Sequence, residues 1–162
     1  MHPGNTIKVS GGLAKQRVIA EHVAAHCITT LLPRHRSLWI EIDFRNLSED
    51  NVLGYCYQND HNFYTLEIDK FQKVYDLILT TCHEMVHVKQ GVRGELTEKH
   101  LRQFWKGKEH RDTNSNSSMG PKQPWEREAW DMQEELAHSF IRDTGNTVRR
   151  VKSVEKRCME LY

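Results

Sequence analysis

The stretch Leu38–Arg45 constrains this chain more tightly than any other. Leu38, Ile40, Ile42 and Phe44 alternate without a break with Trp39, Glu41, Asp43 and Arg45. Successive side chains of a strand point to opposite faces, so this alternation predicts a strand with one buried face. Two further runs follow at short spacing. Val52–Gln58 reads as a weaker strand, and Phe63–Ile68 as a third, with Tyr64, Leu66 and Ile68 on one side. Polar turns at 46–51 and 59–62 separate them, which predicts a three-stranded antiparallel meander. One face of such a sheet must be covered by helices.

The flanking sequence supplies them. From Leu13 to Leu32 the apolar residues Ile19, Val23, Ala24, Cys27, Ile28 and Leu31 recur at threes and fours, and Pro33 ends the pattern. After the third strand, Asp69 with Gln72 three residues on predicts a capping box. The stripe Phe71, Val74, Tyr75, Ile78, Cys82 and Met85 would face the sheet, with Gly91 as the stop. A short helix is expected near Leu96–Trp105. Pro124 suits the first turn of a last helix, whose stripe is Trp125, Ala129, Met132, Leu136 and Phe140. The order predicts an α+β fold in a single domain spanning 1–162. It carries a flexible polar loop at 106–123 and a locally basic tail at 146–162, with Arg149, Arg150, Lys152, Lys156 and Arg157.

Composition closes off several classes of function. The 23 Lys and Arg balance the 22 Asp and Glu to a formal charge of +1, which argues against a nucleic-acid coat or a membrane-surface protein. No apolar run approaches the roughly 20 residues of a spanning helix, and residues 1–12 lack the apolar core of a signal peptide. Cys27, Cys56, Cys82 and Cys158 form no CxxC pair, so free thiols and a cytoplasmic location are expected, the host cytoplasm if the protein is viral.

His83-Glu84-Met85-Val86-His87 is an HExxH. Helical residues four apart share a face, so His83 and His87 project together, off the apolar stripe, and can take one Zn²⁺ between them. Glu84 falls beside that pair, where its carboxylate can accept a proton from an activated water. His22 and His26 are also four apart but have no acid between them, and exposed positions are expected for both.

The segment Thr80-Thr81-Cys82-His83-Glu84-Met85-Val86-His87-Val88 resembles the longer signature of zincin metallopeptidases, with Lys89 standing where a hydrophobic residue is usual. The order of helix, strands, HExxH helix and further helix also resembles the minimal zincin core. The resemblance implies zinc-dependent hydrolysis of a peptide or protein substrate, with a third ligand from a later helix. Gluzincins use a Glu there, often followed by Ala, and Glu128-Ala129 fits that form. HEMVHVKQ followed by PWEREA is also similar to small phage-encoded zincins.

On the helical wheel Glu126 and Glu128 flank the apolar stripe on opposite sides, equally far from its centre. Glu128 shares its edge with Asp131 and Glu135, whereas Glu126 stands apart from other acids. Glu128 is therefore the preferred ligand. Asp131 is the candidate to receive the outer N–H of a ligating imidazole, at a spacing of three rather than the four of the thermolysin pattern. His100, thirteen residues after His87, is a rival, because SprT-like DNA–protein-crosslink proteases take a later His as third ligand. A non-catalytic zinc-binding interaction module is the alternative from another class. Glu84 argues against it, since a structural clip needs no acid at that position.

Overall fold

The computed structural model describes residues 1–111 and 123–144. The chain runs β1 (Thr6–Gly11), α1 (Ala14–Leu31), β2 (Trp39–Arg45), β3 (Gly54–Asp60), β4 (Phe63–Asp69), α2 (Val74–Val92), β5 (Leu96–Lys99), β6 (Arg102–Trp105), β7 (Lys108–His110) and α3 (Pro124–Asp143). The fold is α+β, as the sequence predicts, with one mixed sheet and one antiparallel sheet. Among the described residues no helix is long and apolar enough to cross a membrane.

The first sheet has the order β1-β2-β4-β3, and its pairing corrects the expected meander. β2 lies parallel to both β1 and β4, and only β3 and β4 are antiparallel neighbours. The alternation of β2 is kept, and its register sets Ile40 beside Tyr64, Ile42 beside Leu66 and Phe44 beside Ile68, all buried on one face. These side chains form one core with the apolar stripes of α1, α2 and α3. β1 is an edge strand with no counterpart in the sequence reading: Ile7 and Val9 are its only apolar pair, too short a run to register as period two.

α2 begins later than its expected cap. Lys73 is the N-cap, while Asp69 ends β4 and its Oδ1 accepts the Leu47 N–H at 3.1 Å. Gln72 donates to the Asp69 carbonyl at 2.9 Å and accepts from the Thr80 hydroxyl at 2.7 Å, so the expected capping box instead fastens β4 to α2. The buried face of α2 keeps Ile78, Cys82 and Met85 of the expected stripe, with Val74 packed against the core, but not Phe71 or Tyr75. Phe71 is 62% exposed and Tyr75 exposed, whereas Leu77, Ile78, Thr81, Cys82, Met85, Val86 and Val88 are buried.

Residues 96–105 form strands rather than a helix. β5, β6 and β7 make an antiparallel sheet of their own, turning at His100-Leu101 and at Lys106-Gly107, all four at positive φ. Trp125 at the start of α3 holds this sheet to the body, with the His110 ring edge-on at 5.0 Å and the Trp105 ring at 6.3 Å. Residues 106–110 of the expected polar loop belong to the last hairpin. Gln123 caps α3, and residues 112–122, the basic tail and Cys158 lie outside the described residues.

Candidate metal centre

α2 is enclosed through its second half by α1, α3 and the first sheet, so few of its side chains reach solvent. His83 and His87 lie on the face turned toward α3, with side chains only 15% and 12% exposed. The first turn of α3 brings Glu126 across to them. Its Oε2 is 3.2 Å from His83 Nε2 and its Oε1 is 3.1 Å from His87 Nε2, while the two Nε2 atoms are 3.2 Å apart. The outer nitrogens are engaged as well: His83 Nδ1 meets Gln133 Oε1 at 3.0 Å and His87 Nδ1 meets Gln90 Oε1 at 2.8 Å.

An imidazole that donates through Nδ1 to an amide oxygen is left with a lone pair on Nε2. Two such lone pairs and a carboxylate crowded at these distances repel unless a positive charge sits among them, either a proton or a metal ion. The proton affinities reflect this. Burial alone would raise the Glu126 carboxyl, but its bonds to the two imidazoles outweigh that and hold it down to about 2. Burial alone would lower His87, and the Glu126 carboxylate overcomes it and raises it. The side chains of His83, His87 and Glu126 form a group that could hold a metal ion.

Glu84 lies against the inner wall of the site, only 5% exposed. Burial pushes its carboxyl up to about 7, against the pull of the two imidazoles. Gly54 at the start of β3 makes room for it, because a Cβ there would stand 2.7 Å from Glu84 Oε1 and 3.0 Å from Thr80 Cγ2. A cleft opens here in two arms. One, of about 510 Å³, passes Cys56, Tyr64 and Gly91 toward Leu96 and Gln103. The other, of about 390 Å³, passes Leu53, Leu79 and the 55%-exposed Trp130. His83, Glu84 and Glu126 line both.

The structure brings Glu126 to the two imidazoles and not Glu128, the expected third ligand. Glu128 is two residues, and so just over half a helical turn, away from Glu126, and it faces the far end of α2. Its Oε1 accepts from Lys89 Nζ at 2.6 Å and from Gln90 Nε2 at 3.3 Å. Asp131 is exposed, and the atom that meets His83 Nδ1 comes from Gln133 instead. His100 sits in the exposed β5–β6 turn and is no part of the group. His22 is exposed as expected, whereas His26 is half-buried and meets the Ser139 hydroxyl at 2.7 Å.

The sequence held two signals for Glu126. Glu126, Trp130 and Gln133 recur at helical spacing, and all three meet His83, the Trp130 ring edge-on at 5.9 Å. Lys89, the residue that departs from the zincin pattern, needs a carboxylate once buried, and Glu128 provides it. Comparison with protein families, curated proteins and solved structures returns no match for this chain.

Proposed function

We propose that this chain is a zinc-dependent peptidase whose metal is held by His83, His87 and Glu126. The observation that carries the reading is the convergence of two Nε2 atoms and a carboxylate at 3.1–3.2 Å beside a buried acid of near-neutral proton affinity. Two imidazoles and one carboxylate are a donor set that suits Zn²⁺, and three protein ligands leave a position open, as catalytic zinc requires. Zinc bound there would acidify a water and polarise a carbonyl.

Glu84 is the general base and then the acid. Its carboxylate takes the proton of the attacking water and delivers it to the departing amine nitrogen, a transfer favoured when the group's pKa lies near the working pH. β3 supports a peptide substrate. It is an edge strand, and Gly54, Cys56 and Gln58 line the cleft, so extended substrate backbone can pair beside it. The resemblance of the segment around HExxH to zincins points the same way. The free thiols of Cys27, Cys56 and Cys82 suit a reducing compartment, and we assign the enzyme to the cytoplasm.

Metal analysis of purified protein tests the ligand set. Wild type and Glu128→Ala should each retain about one zinc per chain, while Glu126→Ala loses it. Glu84→Gln should keep its zinc and hydrolyse an unfolded protein substrate roughly 10²–10⁴-fold more slowly. Zinc-loaded wild type no more active than Glu84→Gln would reduce the site to a structural clip.

A further inference from the structure

The amide of Gln90 is fully buried, and three of its four hydrogen-bonding positions are taken. Its Nε2 donates to the Trp125 carbonyl at 2.9 Å and to Glu128 Oε1 at 3.3 Å. Neither partner has a proton to give. Turning the amide over would set its oxygen against a carbonyl and a carboxylate at once, so Oε1 is obliged to face His87 Nδ1, 2.8 Å away. An amide oxygen only accepts, so the His87 proton must sit on Nδ1.

The anchor of this arrangement lies one step further out. Lys89 Nζ holds Glu128 Oε1 at 2.6 Å and Glu95 Oε1 at 2.9 Å, which fixes the Glu128 carboxylate in place against Gln90. On the other imidazole, Gln133 Oε1 meets His83 Nδ1 at 3.0 Å from the same helix that brings Glu126.

We infer that Gln90 and Gln133 are positioning residues that hold both imidazoles with Nε2 bare and aimed at the Glu126 carboxylate, and that the Lys89–Glu128 pair locks Gln90 in that orientation. The inference rests on the metal reading of His83, His87 and Glu126. Both outer partners are neutral. The centre therefore carries one ligand carboxylate against a divalent ion, whereas carboxylates in both outer places would bring two further negative charges. A neutral outer shell leaves the ion more electron-poor, which suits a Lewis acid.

Two readouts test this without turnover. In metal-free wild type at pH 8, long-range ¹H–¹⁵N spectra should show His87 protonated at Nδ1, and Glu128→Gln or Gln90→Leu should shift population to the Nε2–H form. Titration with ZnCl₂ against a chromophoric chelator should show affinity falling about 10–100-fold in Gln90→Leu and Gln133→Leu. Gln133→Glu, which restores an acceptor at a half-buried position, should recover it. If burial of Gln90 prevents Gln90→Leu from folding, the two Gln133 variants decide the zinc arm.

A wild-type His87 with Nδ1 bare and its proton on Nε2 alone would overturn the inference, as would leucine variants that bind zinc within threefold of wild type. A wild type that binds no zinc at all would overturn the metal reading instead, and the spectra of metal-free protein would still decide the positioning.

Discussion

Glu84 is a carboxyl in a place that disfavours its charge, and that has a consequence for stability. Folding raises its proton affinity from 4.5 to about 7, chiefly through burial. Between those pH values the unfolded chain releases this proton first and binds fewer protons than the native protein. The free energy of unfolding therefore falls as pH rises through that window and levels off above it, by roughly 3 kcal/mol in all. Glu84→Gln removes the titration. In metal-free protein, urea midpoints of wild type and variant should converge below about pH 4.5, and the variant should be the more stable above pH 7. Constant separation across the range would mean that folding does not shift the proton affinity of Glu84.

The residue scale is also where the sequence reading divides. His83, Glu84 and His87 are legible because their relation is set inside one helix, where spacing alone fixes direction. Glu126 and Glu128 are symmetric about the stripe of α3, and only the side on which α3 meets α2 distinguishes them. Acidic neighbours were a poor guide. Glu128 has a cation of its own in Lys89, and Glu126 is the acid turned toward the imidazoles.

Among the elements, α2 decides most. Gly91 lies one turn past His87, and a Cβ there would stand 2.6 Å from the Tyr64 hydroxyl and 3.0 Å from its ring. Alanine is the better helix former by about 1 kcal/mol, but overpacking a filled core costs about 1–3 kcal/mol. Tyr64 is only 1% exposed and its ring packs in the core, so the second effect wins. Gly91→Ala should lower the urea midpoint of the protein. An unchanged or raised midpoint would show that the ring can shift.

The legible elements are those whose pattern is long. α1, α3 and β2 stand where periodicity puts them, because several turns or a full alternation outweigh local noise. β1 was too short to register, and β5 and β6 were masked by charged residues that suit a helix equally well. The parallel pairing of β2 with β4 could not be read at all. Adjacent strands in sequence suggest a meander, yet β3 is carried to the outer edge, and no residue between β2 and β3 announces the crossing.

Across the whole molecule, the two imidazoles come from the middle of α2 and the carboxylate from the first turn of α3, with the β5–β7 sheet inserted between those helices in sequence. An ion gripped by all three would therefore act as a rivet joining distant parts of the polypeptide. Anything that binds only the folded form shifts the melting equilibrium by mass action, about 4 kcal/mol at a thousandfold excess over its dissociation constant. Melting curves should climb with added ZnCl₂ in wild type and stay flat in Glu126→Ala, and a flat wild-type curve would disprove the rivet. Heat alone would then report occupancy, with no need to know any substrate.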